Sequence, residues 1–333
     1  MYLNDLLSFK NMSDRNFVRD VLLGVAVGDA LGVPVEFIPR KGLINEPVID
    51  MRASGSHNQP KGTWSDDSSL TFCLTEMLCN EYDLKDLASR FVNWKEDAYW
   101  TAHNNVFDIG IATSAAIYNL QKGAVPTLAG GNDDYSNGNG SLMRILPLLF
   151  YIKNKNIEER FRITQEVSSL THRHIRSVLG CFIYLELALR ILKGENKWSA
   201  YSNMVEAVNL FLSSNVICSQ REIDIYHRIL CNPIGEYIIQ PIHQFEEDEI
   251  YSSGYVLHTL EASIWCLLKT NNYQEAVLKA VNLGNDTDTT GAVTGGLAGL
   301  LYGSESIPRD WLQTLARRRD IELLADKLNK KLT

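Results

Sequence analysis

The chain has 333 residues, of which 45% are hydrophobic and 22% charged, with a formal net charge of -8. This is the composition of a soluble globular protein, and its acidic balance argues against a nucleic-acid partner, since phosphate binding needs a basic face. No apolar run reaches the ~18 residues of a membrane span, no N-terminal stretch has the form of a signal peptide, and six cysteines without a CxxC pair point to buried free thiols in a cytoplasmic protein with no membrane partner.

Residues 1–13 read as a short arm. Ser13 then caps a helix that starts at Asp14 and runs through Gly24-Val25-Ala26-Val27-Gly28-Asp29-Ala30-Leu31-Gly32, with Pro34 ending it. Gly24 and Gly28 lie four apart on one face, a pattern for close helix packing. Glu36, between Val35 and Phe37, is either a solvated loop acid or part of a site. Residues 40–64 read as a polar, irregular loop. Gly62-Thr63-Trp64 leads into Ser65-Asp66-Asp67-Ser68, where the helix-period pattern of Leu70, Cys73, Leu74, Met77 and Leu78 begins. An acidic pair there is a helix cap or a set of ligands.

Helices are expected over 84–94 and 107–121, with Asp108 again a cap or a site residue. Ser136-Asn137-Gly138-Asn139-Gly140-Ser141 reads as a loop feeding a helix over 142–148. Such a loop either presents amides to a phosphate or is a plain turn. Amphipathic helices follow over 157–170 and 174–192, with His172 and His174 between them as structural or solvated residues. Helical patterns continue over 200–213 and 220–230. A mixed loop at 231–252 carries a solvated acidic run at 246–249. Helices then span 252–268 and 273–282.

Gly284-Asn285-Asp286-Thr287-Asp288-Thr289-Thr290-Gly291 opens a small-residue helix to about Leu301, and Pro308 begins a final pair of short helices to Leu328. No alternating strands, repeats or linkers are evident, so the expectation is an all-α, single-domain chain over 1–333 with its core at about 17–325.

Asp286 and Asp288 within one turn, with Asp66 and Asp67 upstream, suggest that two acidic helix starts meet. Ser65, Asp66, Asp67, Asp286, Asp288 and Thr289 would then supply four carboxylates and two hydroxyls, with Thr287 pointing elsewhere. Hard divalent cations take oxygen ligands, and the absence of Cys and His from both clusters disfavours zinc. Without cations the carboxylates would repel. Two Mg²⁺ or Mn²⁺ ions ~3.5–4 Å apart would neutralise them. Phosphatase, nuclease and nucleotide-sugar hydrolase chemistry all remain open on this ground. The Gly/Asn/Ser loop favours a diphosphate ligand, and Tyr255 could stack on a base or sugar.

Seven segments in order resemble signatures of the ADP-ribosylglycohydrolase family, which includes the dinitrogenase-reductase-activating and ADP-ribosylarginine hydrolases. They are the glycine-rich stretch 24–32 followed by Glu36, then 62–68, 107–110, 138–144, 170–172, 254–256 and 284–289. The resemblance implies an all-α, compact orthogonal helical bundle with a central binuclear Mg²⁺ or Mn²⁺ site. It assigns Ser65, Asp66, Asp67, Asp286, Asp288 and Thr289 as metal ligands. It places Glu36 near the metals and the distal ribose, and Asp108 beside that ribose; with Asp67, these are the candidate catalytic residues. Gly138, Asn139, Gly140 and Ser141 would carry the diphosphate, with His172 and Tyr255 toward the adenosine or proximal ribose.

The activity implied is hydrolysis of the bond joining ADP-ribose to a modified protein side chain, with an ADP-ribosylated protein as substrate and ADP-ribose as product. ADP-ribosyl-arginine is the expected linkage. ADP-ribosyl-serine, O-acetyl-ADP-ribose or an inactive ADP-ribose-binding role are the alternatives. Two departures stand out. Ser65 and Ser68 replace the usual Thr and keep its hydroxyl. Asn285 stands where many members have Gly, and either narrows the site or is tolerated at a cap.

Overall fold

Sixteen α-helices and no strand form the described part of the computed structural model, which covers residues 15–232 and 240–332. The arm at 1–13 and the cap at Ser13 lie outside the described residues. The first helices are α1 (Phe17–Gly32), α2 (Arg40–Asn45), α3 (Asp66–Leu78), α4 (Leu84–Asp97) and α5 (Ile111–Gln121). The middle of the chain forms α6 (Leu148–Ile152), α7 (Ile157–Ser168), α8 (Ile175–Leu192), α9 (Lys197–Ser214), α10 (Gln220–Asp224) and α11 (His227–Leu230). The last are α12 (Val256–Lys269), α13 (Tyr273–Val281), α14 (Thr287–Tyr302), α15 (Arg309–Thr314) and α16 (Arg318–Leu332). No helix is long and apolar enough to cross a membrane among the described residues. All six cysteines are free.

Two helices with almost no large side chains between them form the centre. α1 and α14 run antiparallel, and their glycines face one another. A methyl group added at Gly28 would lie 2.1 Å from the Gly291 carbonyl oxygen, and one at Gly24 would lie 2.3 Å from that of Gly295. Only glycine admits backbones this close. Around this pair, the Tyr273 hydroxyl of α13 donates to the Gly24 carbonyl and the Tyr184 hydroxyl of α8 donates to that of Val293, each at 2.8 Å. Both tyrosines are fully buried, so their hydroxyls need these partners.

Several boundaries differ from the sequence expectation. α1 starts at Phe17, where Asn16 caps it by accepting from the Arg19 amide at 3.0 Å. The loop at 40–64 contains α2 and a 3₁₀ turn, Gly55–His57. The helix expected from 107 starts at Ile111, because Asp108 sits at φ 56 and cannot join an α-helix. The stretch 142–147 is a series of turns instead of a helix. Pro147 lacks an amide hydrogen and biases Leu146 away from the α region. The helix expected over 220–230 is split into α10 and α11, and the loop at 231–252 includes two 3₁₀ turns within its described residues.

Candidate metal centre and substrate cleft

The antiparallel packing of α1 and α14 brings the C-terminal end of one to the N-terminal end of the other. The chain leaves α1 through a 3₁₀ turn, Val33–Val35, and reaches Glu36, which is buried. Across from it, Asp286 precedes α14 and Asp288 lies in its first turn. Thr287 turns away, as expected, and its hydroxyl donates to the Gly32 carbonyl at 2.8 Å. The loops join through main chain: the Phe37 amide donates to the Asn285 carbonyl at 2.6 Å, and the Asn285 amide to that of Ile38 at 2.8 Å. Asn285 has φ 62, a conformation asparagine tolerates better than most residues. It therefore fills a glycine-like position, and it is one of the residues that line the cleft.

α3 brings the second acidic pair. Ser65 caps it by accepting from the Asp67 amide at 3.3 Å. The whole helix start hangs on Asp29 of α1. Asp29 accepts from the Ser65 amide at 2.9 Å, the Ser68 amide at 3.1 Å and the Ser68 hydroxyl at 2.6 Å. The sequence reading did not single out Asp29. Its signal was present, as the one acid inside the apolar run of α1.

The two clusters then meet. Asp67 Oδ2 accepts from the Ser65 hydroxyl and from the Thr289 hydroxyl, each at 3.2 Å. One carboxylate oxygen from each of Glu36, Asp286 and Asp288 lies within 4.8 Å of the other two. Asp67 Oδ1 and Asp288 Oδ2 are buried with no hydrogen-bond partner. Buried oxygens of this kind are costly unless something pairs with them. An all-oxygen donor set with two orphaned carboxylate oxygens, at the positive ends of α3 and α14, fits hard divalent cations.

The electrostatics agree. Burial pushes the Asp66, Asp67 and Asp288 carboxyls well above the usual range, and neighbouring carboxylates add to the effect. Burial, then Asp286, raises Glu36 to about 8. Burial, then Glu36, raises Asp108 to about 7. Such groups ionise readily only beside compensating positive charge.

His57 is a further member that sequence reasoning missed, because it lies in a stretch that read as irregular loop. Its Nε2 is 2.5 Å from Glu36 Oε2 and 3.8 Å from Asp108 Oδ1. Gly55 allows this: a side chain there would strike the Pro34 carbonyl at 1.8 Å, so the turn can press against the segment before Glu36. The Phe37 and Phe107 rings flank the imidazole, with centroids at 5.8 and 5.1 Å.

A cleft of about 700 Å³ opens over these groups. Glu36, Asp66, Asp108, Asp286 and Thr289 line it together with Gly138, Asn139, Gly140 and His172. Asn139 ties the glycine loop to the acidic cluster, its Nδ2 donating to Asp286 Oδ2 at 2.6 Å and to the Thr259 hydroxyl at 2.9 Å.

Ser65, Asp67 and Asp288 are buried and are not part of the cleft lining. Ser141 and Tyr255 do not line it either. The Ser141 hydroxyl accepts from that of Ser168 at 2.9 Å inside the core. Tyr255 packs edge-on to His258 with centroids at 5.1 Å. Its part of the chain instead holds the loop, through the Val256 amide to the Asn137 carbonyl and the Asn139 amide to the Gly254 carbonyl, each at 3.0 Å. Because 142–147 is not helical, the glycine loop does not run directly into a helix of its own.

The family model described as ADP-ribosylglycohydrolase matches residues 10–333. An ADP-ribosylarginine hydrolase Tri1 from Serratia proteamaculans is 31% identical over 313 residues, covering 93% of this chain and 78% of its own. The protein of the same name from Pseudomonas putida is 30% identical, covering 93% and 77%. A solved structure titled ADP-ribosylglycohydrolase-related protein complex superposes with a TM-score of 0.76 at 28% identity, over 96% of this chain and 100% of that one.

Proposed function

Since the chain belongs to the ADP-ribosylglycohydrolase family, we propose that it is a metal-dependent hydrolase that releases ADP-ribose from ADP-ribosylated protein, with arginine as the modified side chain. The observation that carries this reading is the buried acidic floor with two orphaned carboxylate oxygens beneath a cleft walled by Gly138, Gly140 and His172. Ser65, Asp66, Asp67, Asp286, Asp288 and Thr289 are the residues that would hold two divalent cations, Mg²⁺ or Mn²⁺. When bound, they would supply Lewis acidity that activates water and neutralises the carboxylates.

The chain's own residues do the rest. Water adds to the anomeric carbon as the bond from that carbon to the side-chain nitrogen breaks, and the proton that water gives up ends on the released guanidine. Charge builds on the ribose as an oxocarbenium-like centre, which Asp108 and the acidic floor stabilise. Glu36 takes the water's proton; of Glu36 and Asp67, the two carboxylates suited to that role, only Glu36 lines the cleft. Two features support arginine. The Tri1 relatives carry that specificity in their names. Glu36, Asp108 and Phe37 also line the cleft together, and carboxylates beside an aromatic ring are a setting that favours a planar cation.

The test is release of ADP-ribose from arginine-linked and serine-linked protein, side by side, with Mg²⁺, Mn²⁺ or chelator. Cation-dependent release from the arginine-linked substrate is expected. Release from the serine-linked substrate alone would replace the acceptor, and tight ADP-ribose binding without turnover would replace the enzyme reading.

A further inference from the structure

Arg144 is wholly buried, and it forms no ion pair among the described residues. A guanidinium is expensive to bury without a counter-charge. It stays a cation even so: burial lowers it only to about 10. Its Cζ lies 4.8 Å from the centre of the Phe91 ring. Its Nη2 donates to the Thr171 hydroxyl at 2.7 Å and to the Val167 carbonyl at 3.3 Å.

The Thr171 hydroxyl also lies 2.9 Å from His172 Nδ1. Arginine can only donate. The Thr171 oxygen therefore accepts a hydrogen bond from Arg144, and its own hydrogen has His172 Nδ1 as its acceptor. If Nδ1 carried a hydrogen instead, the buried threonine proton would be left without a partner. His172 is held neutral as well, pushed down to about 3 by burial and then by the Arg144 charge. Its ring lies in the cleft wall. A methyl group at Gly138 would come within 3.3 Å of Nε2, and one at Gly140 within 2.7 Å of Cε1. Those two glycines leave the Nε2 edge uncovered.

We propose that Arg144, acting through Thr171, fixes His172 as the Nε2–H tautomer, so that the ring presents one permanently oriented, neutral donor to an acceptor oxygen of ADP-ribose at the Gly138–Gly140 wall. Arg144 and Thr171 are positioning residues; His172 makes the contact. The arrangement explains why a buried cation is retained with no partner carboxylate: its charge is directed along one hydroxyl onto one ring nitrogen. The identity of the ligand rests on the function proposed above, whereas the tautomer does not.

The experiment is a long-range proton–nitrogen correlation spectrum of the full-length protein labelled at histidine nitrogens, recorded without ligand, with His172→Gln to assign the signals. The Nε2–H pattern is expected, unchanged from about pH 6 to about pH 8. Thr171→Val should lose that pattern and weaken ADP-ribose binding by about 5–10-fold, the worth of one hydrogen bond. Thr171→Ser should retain both. An Nδ1–H or imidazolium spectrum in the unaltered protein overturns the proposal, and so does a Thr171→Val protein with the unaltered spectrum. If ADP-ribose fails to bind the unaltered protein, the reading of the cleft fails, and the ligand-free spectra still decide the tautomer.

Discussion

Phe37 and Asn285 are held together by main chain, both in the left-handed region at φ 64 and φ 62, with the Phe37 amide on the Asn285 carbonyl at 2.6 Å. This contact fixes Glu36, one residue before Phe37, relative to Asp286, one residue after Asn285. Asn285→Gly should change stability by less than ~1 kcal/mol, because glycine enters this conformation freely. Asn285→Val should cost about 1–2 kcal/mol or more, since a β-branched residue resists it. Urea unfolding of the two variants separates these outcomes, and equal stability would show that the loop does not depend on this conformation.

Asp288 sits at the floor with Oδ2 unpartnered. Asp288→Asn removes a buried carboxyl that, on the proposed function, is a metal ligand. Mn²⁺ affinity should fall by at least ~10-fold in calorimetric titration. Without metal, the same variant should melt no lower than the unaltered protein, and its advantage should grow as pH rises, because the amide needs no proton to stay neutral among the other carboxyls. Undiminished Mn²⁺ binding would remove Asp288 from the ligand set.

The cation-free protein should become less stable as pH rises. Glu36 is raised from 4.5 to about 8, so the folded chain holds a proton that the unfolded chain has released. Its contribution is complete below about pH 4.5 and is lost as pH climbs through about 8, and Asp66, Asp67 and Asp288 act with the same sign. Melting temperatures in chelator should therefore fall from about pH 5 to about pH 8. Added Mg²⁺ or Mn²⁺ should stabilise most at the alkaline end, where fewest protons need displacing. A chelated protein that gains stability across this window would contradict the carboxylate cluster.

Gly28→Ala places a methyl 2.1 Å from the Gly291 carbonyl oxygen. Neither backbone can yield locally, so the helices must separate, at a cost of about 1–3 kcal/mol. Thermal melting reads this directly. Activity, if the proposed function is right, should fall further than stability alone predicts.

Much of this was legible in the sequence because it is local. Helix periods, the cap at Ser65, the acidic start of α14 and its small residues each leave a pattern within a few positions. The acidic pairs could be joined in advance because uncompensated carboxylates need a common partner. Three features escaped for physical reasons. Asp29 reads as a stray acid in an apolar helix until α3 is seen hanging from it. His57 reaches Glu36 from a turn without periodicity. The stretch 142–147 has helical composition, but Pro147 dictates its backbone. Tyr255 and Ser141 show the reverse: their motifs were visible, yet one serves the loop through its main chain and the other points into the core.

The glycine seam between α1 and α14 has one more consequence. Side chains in most cores act as adjustable spacers, so a lost methylene can be absorbed by a rotamer change nearby. Here the spacer is the carbonyl oxygen itself, which has no rotamers. The offset between Glu36 and the Asp286–Asp288 turn is thus gauged by main-chain contact and cannot be tuned in small steps from within the seam. Variation in this protein's chemistry falls to the residues around the seam, while the gauge beneath them must be inherited whole.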